Sequence, residues 1–360
     1  MIMRILMMAG GTGGHIFPAL AVANVLQSKG IEVIWLGTHR GLEAKFIPKA
    51  GYSIEWISVN GLRGKGIITW LTAPVKLLIA LFQALKILHK QKPSVVLGWG
   101  GFVSGPGGLG AWLLRIPLIT HEQNAIAGTT NRILARLSSQ ILEGFPNTFS
   151  KTLHGKWVGN PVRAEIESVY YAKKNTIRDR HTPIRLLVLG GSQGAQILNK
   201  VLPQTLSHLE LNEYPEIWHQ CGTNREKEVI TAYRSFRVDA KVVAFIDEIA
   251  DAYTWADMVL CRAGASTIAE LMAVGITSLL VPYPFAIDNH QLANAQYLVN
   301  HDAALLLPEK ELTPQKLAET LRYFNMHRDL LDTMAESAYK LHLGNTAQRI
   351  AEECLQIACN

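Results

Sequence analysis

An apolar run, a glycine-dense turn and a helix-like run follow one another at residues 6–23, and the same succession returns at residues 186–199. Strand-like runs followed by turns and longer helical patterns recur all along the chain: "RILMMAGG", "EVIWLGT", "SVVLGWGG" and "PLITHEQN", then "RLLVLGGSQG", "KVVAFID", "MVLCRAG" and "SLLVPYP". This alternation predicts parallel sheets with crossover helices. The chain has 360 residues, more than the length of about 250–300 at which one core stops growing. The expected fold is therefore α/β, with two doubly wound, Rossmann-like domains facing a cleft. The boundaries are set at 1–161, 162–340 and 341–360. "YYAKKNTIRDRHTP" is charged and lacks apolar periodicity, so the linker is placed from "GNPVR" to Pro183. In the last segment Ala347, Ile350, Ala351, Cys354, Leu355 and Ala358 share one helical stripe and predict a helix packed on a core, with the first domain's core as the candidate.

A hydrophobic share of 48% against 18% charged residues excludes a disordered or fibrous chain. The net charge of +6 points to an anionic partner, whether nucleotide, nucleic acid or membrane surface. Cys221, Cys261, Cys354 and Cys359 show no C-x-x-C spacing, which argues against a disulfide framework or zinc site and fits a reducing cytoplasm. "MIMRILMMAGG" is too short for a signal peptide and reads as a first buried strand.

The turns decide among phosphate-bearing ligands. A dinucleotide site needs G-x-G-x-x-G and an acidic residue ending the second strand. Gly11 and Gly13 fit, but Ile16 takes the third glycine position and the second strand ends in Thr38 and His39. No G-K-[ST] follows either turn, which excludes a P-loop. What remains is close backbone approach and a helix N-terminus aimed at an anion, once in each domain. "GWGGFVSGPGG" (residues 98–108) reads as a third glycine loop, and "THEQNAIAG" gathers His121, Glu122, Gln123 and Asn124 after a fourth strand. In "CRAGASTIAE", Ser266 or Thr267 is the expected N-cap, and Glu270 either reaches ribose hydroxyls or closes a capping box.

"GGTGGH", "GLRGKG", "GGFVSGPGG", "HEQNAIAG", "VGNPVR", "GGSQGA", "CRAGASTIAE" and "HQLANA" occur together and in this order. By that order the chain resembles the two-domain GT-B bacterial peptidoglycan glycosyltransferases, which add N-acetylglucosamine to undecaprenyl-diphospho-muramoylpentapeptide. The resemblance implies UDP-N-acetylglucosamine on the second domain and the lipid-linked acceptor on the first. It places Thr12, Gly13 and Gly14 beside the donor and Asn124 on its sugar. Arg163 and Ser192 serve the nucleotide and diphosphate, and Ile246 offers backbone groups to uracil. Ala265, Ser266, Thr267, Ile268, Ala269 and Glu270 cradle phosphate and ribose, while Gln291 holds sugar hydroxyls. His290 stands where some relatives have a second glutamine. The first glycine turn becomes the acceptor-side wall, facing the lipid diphosphate.

An α-linked donor and a β-1,4-linked product imply one in-line displacement with inversion. His15, at the mouth of the first turn, is the candidate base, and Glu122 the second choice. Arg163, Ser192 and the amides of residues 265–267 suit the charge developing on the leaving diphosphate. No Asp-x-Asp occurs in the chain, so no obligatory metal and no cofactor are expected.

"TAPVKLLIALFQALKILHK" (residues 72–90) is long enough to raise a membrane span. The strands on either side must join one sheet, which argues against a crossing. Its wide apolar face, Trp70, and Arg63, Lys65, Lys76, Lys86 and Lys90 predict peripheral docking on the anionic inner membrane from the cytoplasmic side. No nucleic-acid partner is expected. Two other readings keep the fold: a UDP-sugar epimerase, and a non-catalytic sugar-nucleotide sensor.

Overall fold

The computed structural model describes residues 3–359 apart from 12, 60–66, 175–181 and 192–193, together with the backbone but not the side chains of 67–71 and 287. "GLRGKG", Arg63, Lys65, Thr12, Ser192 and the side chain of Trp70 lie outside the described residues. The chain divides into two units, residues 1–163 with 345–360 and residues 164–344.

The first unit holds seven parallel strands: β1 (Arg4–Met8), β2 (Glu32–Gly37), β3 (Ser53–Trp56), β4 (Val95–Gly98), β5 (Leu118–Glu122), β6 (Gln140–Glu143) and β7 (Lys156–Trp157). Their order is β3-β2-β1-β4-β5-β6-β7, so the chain reverses its direction of winding between β1 and β4. Ile5 and Met7 face one core with Ile16, Ala19, Ala23, Ile350, Ala351 and Cys354, so the last helix, Thr346–Cys359, packs beside Gly13–Ser28 on that side of the sheet. Leu6 and Met8 face the other core with Ala80, Leu88, Val103 and Ala111. Strands covered on both faces read as unbroken apolar runs, which is why they stand out in the sequence.

The second unit holds β8 (Arg185–Leu189), β9 (Glu216–Gln220), β10 (Lys241–Val243), β11 (Met258–Cys261), β12 (Thr277–Leu280) and β13 (Ala304–Leu306) in the order β10-β9-β8-β11-β12-β13. The winding is the same, with its reversal between β8 and β11. Leu186 and Val188 pack with Leu198, Leu202, Val229, Leu317 and Phe324.

Three local expectations are corrected. The "GGFVSGPGG" stretch is not a loop but most of the helix Gly101–Leu113. Its glycines let it press onto the sheet: a Cβ on Gly107 would stand 2.3 Å from Met8 Sδ, and one on Gly108 would stand 2.8 Å from Leu134 Cδ2. The expected linker, residues 159–183, contains the border between the two units, but its later part is packed: Tyr170 stacks on Tyr339 at 3.4 Å and Lys173 donates to the carbonyl of Tyr253 at 3.1 Å, both within the second unit. Arg163, assigned by the boundary at 162 to the second domain, belongs to the first unit, where its guanidinium lies 5.9 Å from the Phe17 ring centre.

Candidate active site

At the end of β1 the chain turns through Gly10 and Gly11 into the helix Gly13–Ser28. Gly11 has φ +92°, in the left-handed region where a side chain is strained. Gly13, Gly14 and His15 form the first turn of the helix, and the His15 ring is half-buried. From the end of β4, Gly101 (φ +74°) reaches the same place: a Cβ there would stand 3.4 Å from the Gly10 carbonyl oxygen and 3.9 Å from His15 Cε1. Two glycine stretches that are distant in sequence thus meet beside His15 at the switch point. Ser104 holds this corner by donating to the carbonyls of Met8 and Gly100, at 3.1 and 2.7 Å.

The "HEQN" cluster lies at the end of β5, and most of it faces inward. Glu122 is 2% exposed and accepts four hydrogen bonds, from Asn124 N (2.9 Å), Asn124 Nδ2 (3.1 Å), Gly128 N (2.9 Å) and Asn131 Nδ2 (2.9 Å). A buried carboxylate with both oxygens engaged in this way has no lone pair directed at a substrate, so the second-choice base is corrected to a bracket that sets Asn124. His121 is fully buried, shares a hydrogen bond with the Gly159 carbonyl at 3.0 Å, and is held neutral by desolvation, with its pKa lowered to about 4. Gln123 donates to the Trp99 carbonyl at 2.8 Å and receives Asn160 Nδ2 on its own carbonyl at 2.8 Å. These bonds join "HEQN" to "GNPVR". Asn124 is the member of the cluster set at the surface.

In the second unit β8 leads through Gly190, Gly191 (φ +79°) and Gly194 (φ +74°) into the helix Gln196–Thr205. A Cβ on Gly194 would stand 2.1 Å from the Cys221 carbonyl oxygen, so this turn admits only glycine. After β11 the helix Ala265–Val274 begins, and its N-cap is Gly264 with no side-chain cap, not Ser266 or Thr267. Ala265, Ser266 and Thr267 are therefore its first three residues, whose amides point out of the helix end. Glu270 closes no capping box; its carboxylate accepts from the buried Tyr253 hydroxyl at 2.9 Å. Ile246 is buried in the segment after β10, next to the exposed Phe245. Gln291 opens the helix His290–Val299 and accepts from Tyr283 N at 2.9 Å. Asp288 and Asn289, just before it, both adopt left-handed φ, +52° and +54°. Two such non-glycine residues in succession mark a strained segment of the kind found where ligands bind.

Sequence reasoning missed Glu43 at the first turn and Tyr253 behind Glu270. The signal for Glu43 was the glycine-flanked "LGTHRGLE"; none marked Tyr253, since only folding brings its helix beside Glu270. Among the described residues no group of three or more His, Cys, Asp or Glu is placed to hold a metal ion.

Comparison with known proteins places this geometry. Residues 5–143 match the glycosyltransferase family 28 N-terminal domain and residues 185–353 its C-terminal domain. The chain belongs to glycosyltransferase family 28. Among its relatives is the UDP-N-acetylglucosamine–N-acetylmuramyl-(pentapeptide) pyrophosphoryl-undecaprenol N-acetylglucosamine transferase of Nitrosococcus oceani, 57% identical over 358 residues that cover 99% of both chains. The protein of the same name from Methylococcus capsulatus is 48% identical over 99% of both chains. The crystal structure of Acinetobacter baumannii MurG superposes on this family 28 chain with a TM-score of 0.83 at 38% identity, covering 98% of this chain and 99% of that one. The GT-B fold follows. The UDP-GlcNAc 2-epimerase of Neisseria meningitidis, with a TM-score of 0.67 at 14% identity over 98% of this chain and all of that one, shares the fold alone.

Proposed function

We propose that this family 28 chain is the inverting transferase that moves N-acetylglucosamine from UDP-N-acetylglucosamine to the C4 hydroxyl of the muramoyl sugar of undecaprenyl-diphospho-muramoylpentapeptide, in peptidoglycan synthesis. One observation carries this reading: identity of 57% along essentially the whole of both chains to a transferase of that name. The epimerase reading keeps only a likeness of fold.

The first unit takes the acceptor and the second the donor. The acceptor oxygen bonds to C1 of the donor sugar as the bond from C1 to the diphosphate breaks. The electron pair leaves on the β-phosphate, and the acceptor proton goes to His15. The N-terminus of Ala265–Val274, with Arg163 and Ser192, supplies donors to the leaving diphosphate. Glu270, steadied by Tyr253, meets the ribose hydroxyls, the backbone near Ile246 meets uracil, and Thr12, Gly13, Gly14, Asn124 and Gln291 meet the sugars.

The chain works as a peripheral protein on the cytoplasmic face of the inner membrane. Support comes from the helix Ile67–Gln91, which buries Ala73, Ala80, Ala84, Ile87 and Leu88 but exposes Val75, Leu78, Ile79 and Phe82. It packs against Gly101–Leu113, which exposes Trp112 and Leu113. Exposed Lys76 and Lys86 lie on the same helix and suit anionic headgroups. β3 and β4 on either side of it belong to one sheet, which supports a helix lying along the membrane surface over one crossing it.

The function is tested by incubation with UDP-N-acetylglucosamine with and without the lipid-linked acceptor. Release of UDP together with lipid-linked disaccharide only when acceptor is present is the expected result. Release without acceptor, or none with it, overturns the assignment.

A further inference from the structure

The first glycine turn rests on a carboxylate. Glu43 is the first residue of the helix Glu43–Lys49 and has no solvent exposure. Its Oε2 accepts from Gly11 N at 2.9 Å, and its Oε1 accepts from Thr38 N at 3.0 Å and from the Thr38 hydroxyl at 2.9 Å. Three glycines leave the space it fills. A Cβ on Gly10 would stand 2.8 Å from Oε1, one on Gly37 2.8 Å from Cγ, and one on Gly41 1.9 Å from Oε2. Among the described residues no Lys, Arg or His forms an ion pair with it. A buried carboxylate is costly and persists where its hydrogen bonds are all made.

The second glycine turn is held differently. Gly190 N donates to the Gln220 carbonyl at 3.3 Å, Gly194 N donates to the Gly191 carbonyl at 3.0 Å, and the Cα of Gly194 is pressed against the Cys221 backbone. Among the described residues its supports are backbone groups. Among the described residues of the two turns that echo each other in sequence, only the first is clamped by a carboxylate, to the end of β2.

We propose that Glu43 is a positioning residue for the transfer reaction, an inference that rests on the transferase reading above. Its carboxylate fixes the Gly11 peptide in its left-handed setting, and with it the start of the helix that carries His15. Three donors converge on the two oxygens, so the site requires an acceptor on both sides. Glu43→Gln is nearly isosteric but turns an amide nitrogen toward either the Gly11 or the Thr38 donors. The turn then shifts, and His15 with it, without removal of any group that touches substrate.

The test is steady-state kinetics of the full chain with the lipid-linked acceptor, alongside thermal unfolding. Glu43→Gln is expected to lower kcat about tenfold or more, as small misplacements of reacting groups do. The KM for UDP-N-acetylglucosamine is expected to change less than kcat, because uracil, ribose and diphosphate are held away from this turn and only residues 12–14 of the shifted stretch meet the sugars. A purely structural role would instead lower Tm and the fraction of active enzyme while leaving kcat per active site intact, and that result overturns the proposal. Should Glu43→Gln fail to fold, Thr38→Val removes one of the three donors and is expected to lower kcat per active site more than it raises donor KM, together with a fall in Tm from the lost buried hydrogen bond; unchanged kcat per active site overturns the proposal. Wild-type enzyme run in parallel separates the two claims. No transfer by wild type overturns the transferase reading and this inference with it, whereas transfer by wild type and unimpaired variants overturn this inference alone.

Discussion

His15 and Glu122 were both candidates for the base, and their surroundings divide the roles. His15 sits half-buried in the first turn of a helix beside two glycine stretches, whereas Glu122 spends both oxygens on four donors. His15→Ala is expected to lower kcat by about 10²–10⁴-fold, the usual worth of general base catalysis. Turnover within a few-fold of wild type on the same acceptor would remove His15 from that role. Glu122→Gln should act on stability, since its amide nitrogen must face donors now satisfied. The cost is about 1–3 kcal/mol for each donor left unpaired, to be read from urea unfolding. An unchanged midpoint with a displaced acidic limb of the pH–rate profile would return Glu122 to the chemistry. At the same scale, the polar letters of "HEQN" marked a polar cluster at a strand end but not which of them face inward. A sequence shows four polar residues at the end of a strand; which of them is aimed inward depends on partners such as Gly159 and Trp99, 38 and 24 residues away.

At the scale of elements, the central strands were legible and the outer ones were not. β1, β2, β4, β8 and β11 are buried, largely apolar runs, β5 and β12 are buried strands that begin or end in apolar pairs, and β10 was found within "KVVAFID". β3, β7 and β13 are short strands at sheet edges, and β6 sits one place from an edge as "QILE", so little apolar pattern survives in them. β9 is internal yet reads "EIWHQ" because its buried His219 is satisfied by Tyr233 at 2.8 Å and Asn199 at 3.0 Å, partners invisible to local patterning. "GGFVSGPGG" was misread because glycine ordinarily breaks helices, and here close contact with Met8, Leu36 and Leu134 outweighs that propensity. The apolar helix Ile67–Gln91 carries its own prediction. Ile79→Asp with Phe82→Asp removes two exposed apolar chains, each worth about 1.5–3 kcal/mol when buried, so partition onto anionic vesicles should fall by about 10²-fold or more. Turnover on detergent-solubilised acceptor should hold. Undiminished sedimentation with vesicles would contradict the docking face.

At the scale of the whole molecule, each unit buries one neutral histidine among the described residues, His121 in the first and His219 in the second, with pKa values lowered by desolvation to about 4 and about 3. In the unfolded chain both titrate near 6.5. Below that pH the unfolded state binds protons that the folded state refuses, so stability is full above pH 6.5 and falls as the pH is lowered toward the folded values. The slope approaches about 1.4 kcal/mol per pH unit for each imidazole. Calorimetric midpoints should therefore decline between pH 6.5 and about 5, above the range in which carboxylates titrate; flat midpoints there would show that neither ring is held neutral. The repeated winding of the two sheets was readable from the recurring strand, glycine turn and helix, while the difference between the two turns, one clamped by Glu43 and one by backbone, was not. The central claim is inverting transfer to a lipid-linked muramoyl acceptor, and the anomeric configuration of the product tests it most directly. Proton NMR of the disaccharide made from UDP-N-acetylglucosamine and undecaprenyl-diphospho-muramoylpentapeptide should show a β linkage to C4 of the muramoyl sugar; an α linkage, or a free altered sugar nucleotide in place of the disaccharide, would contradict it.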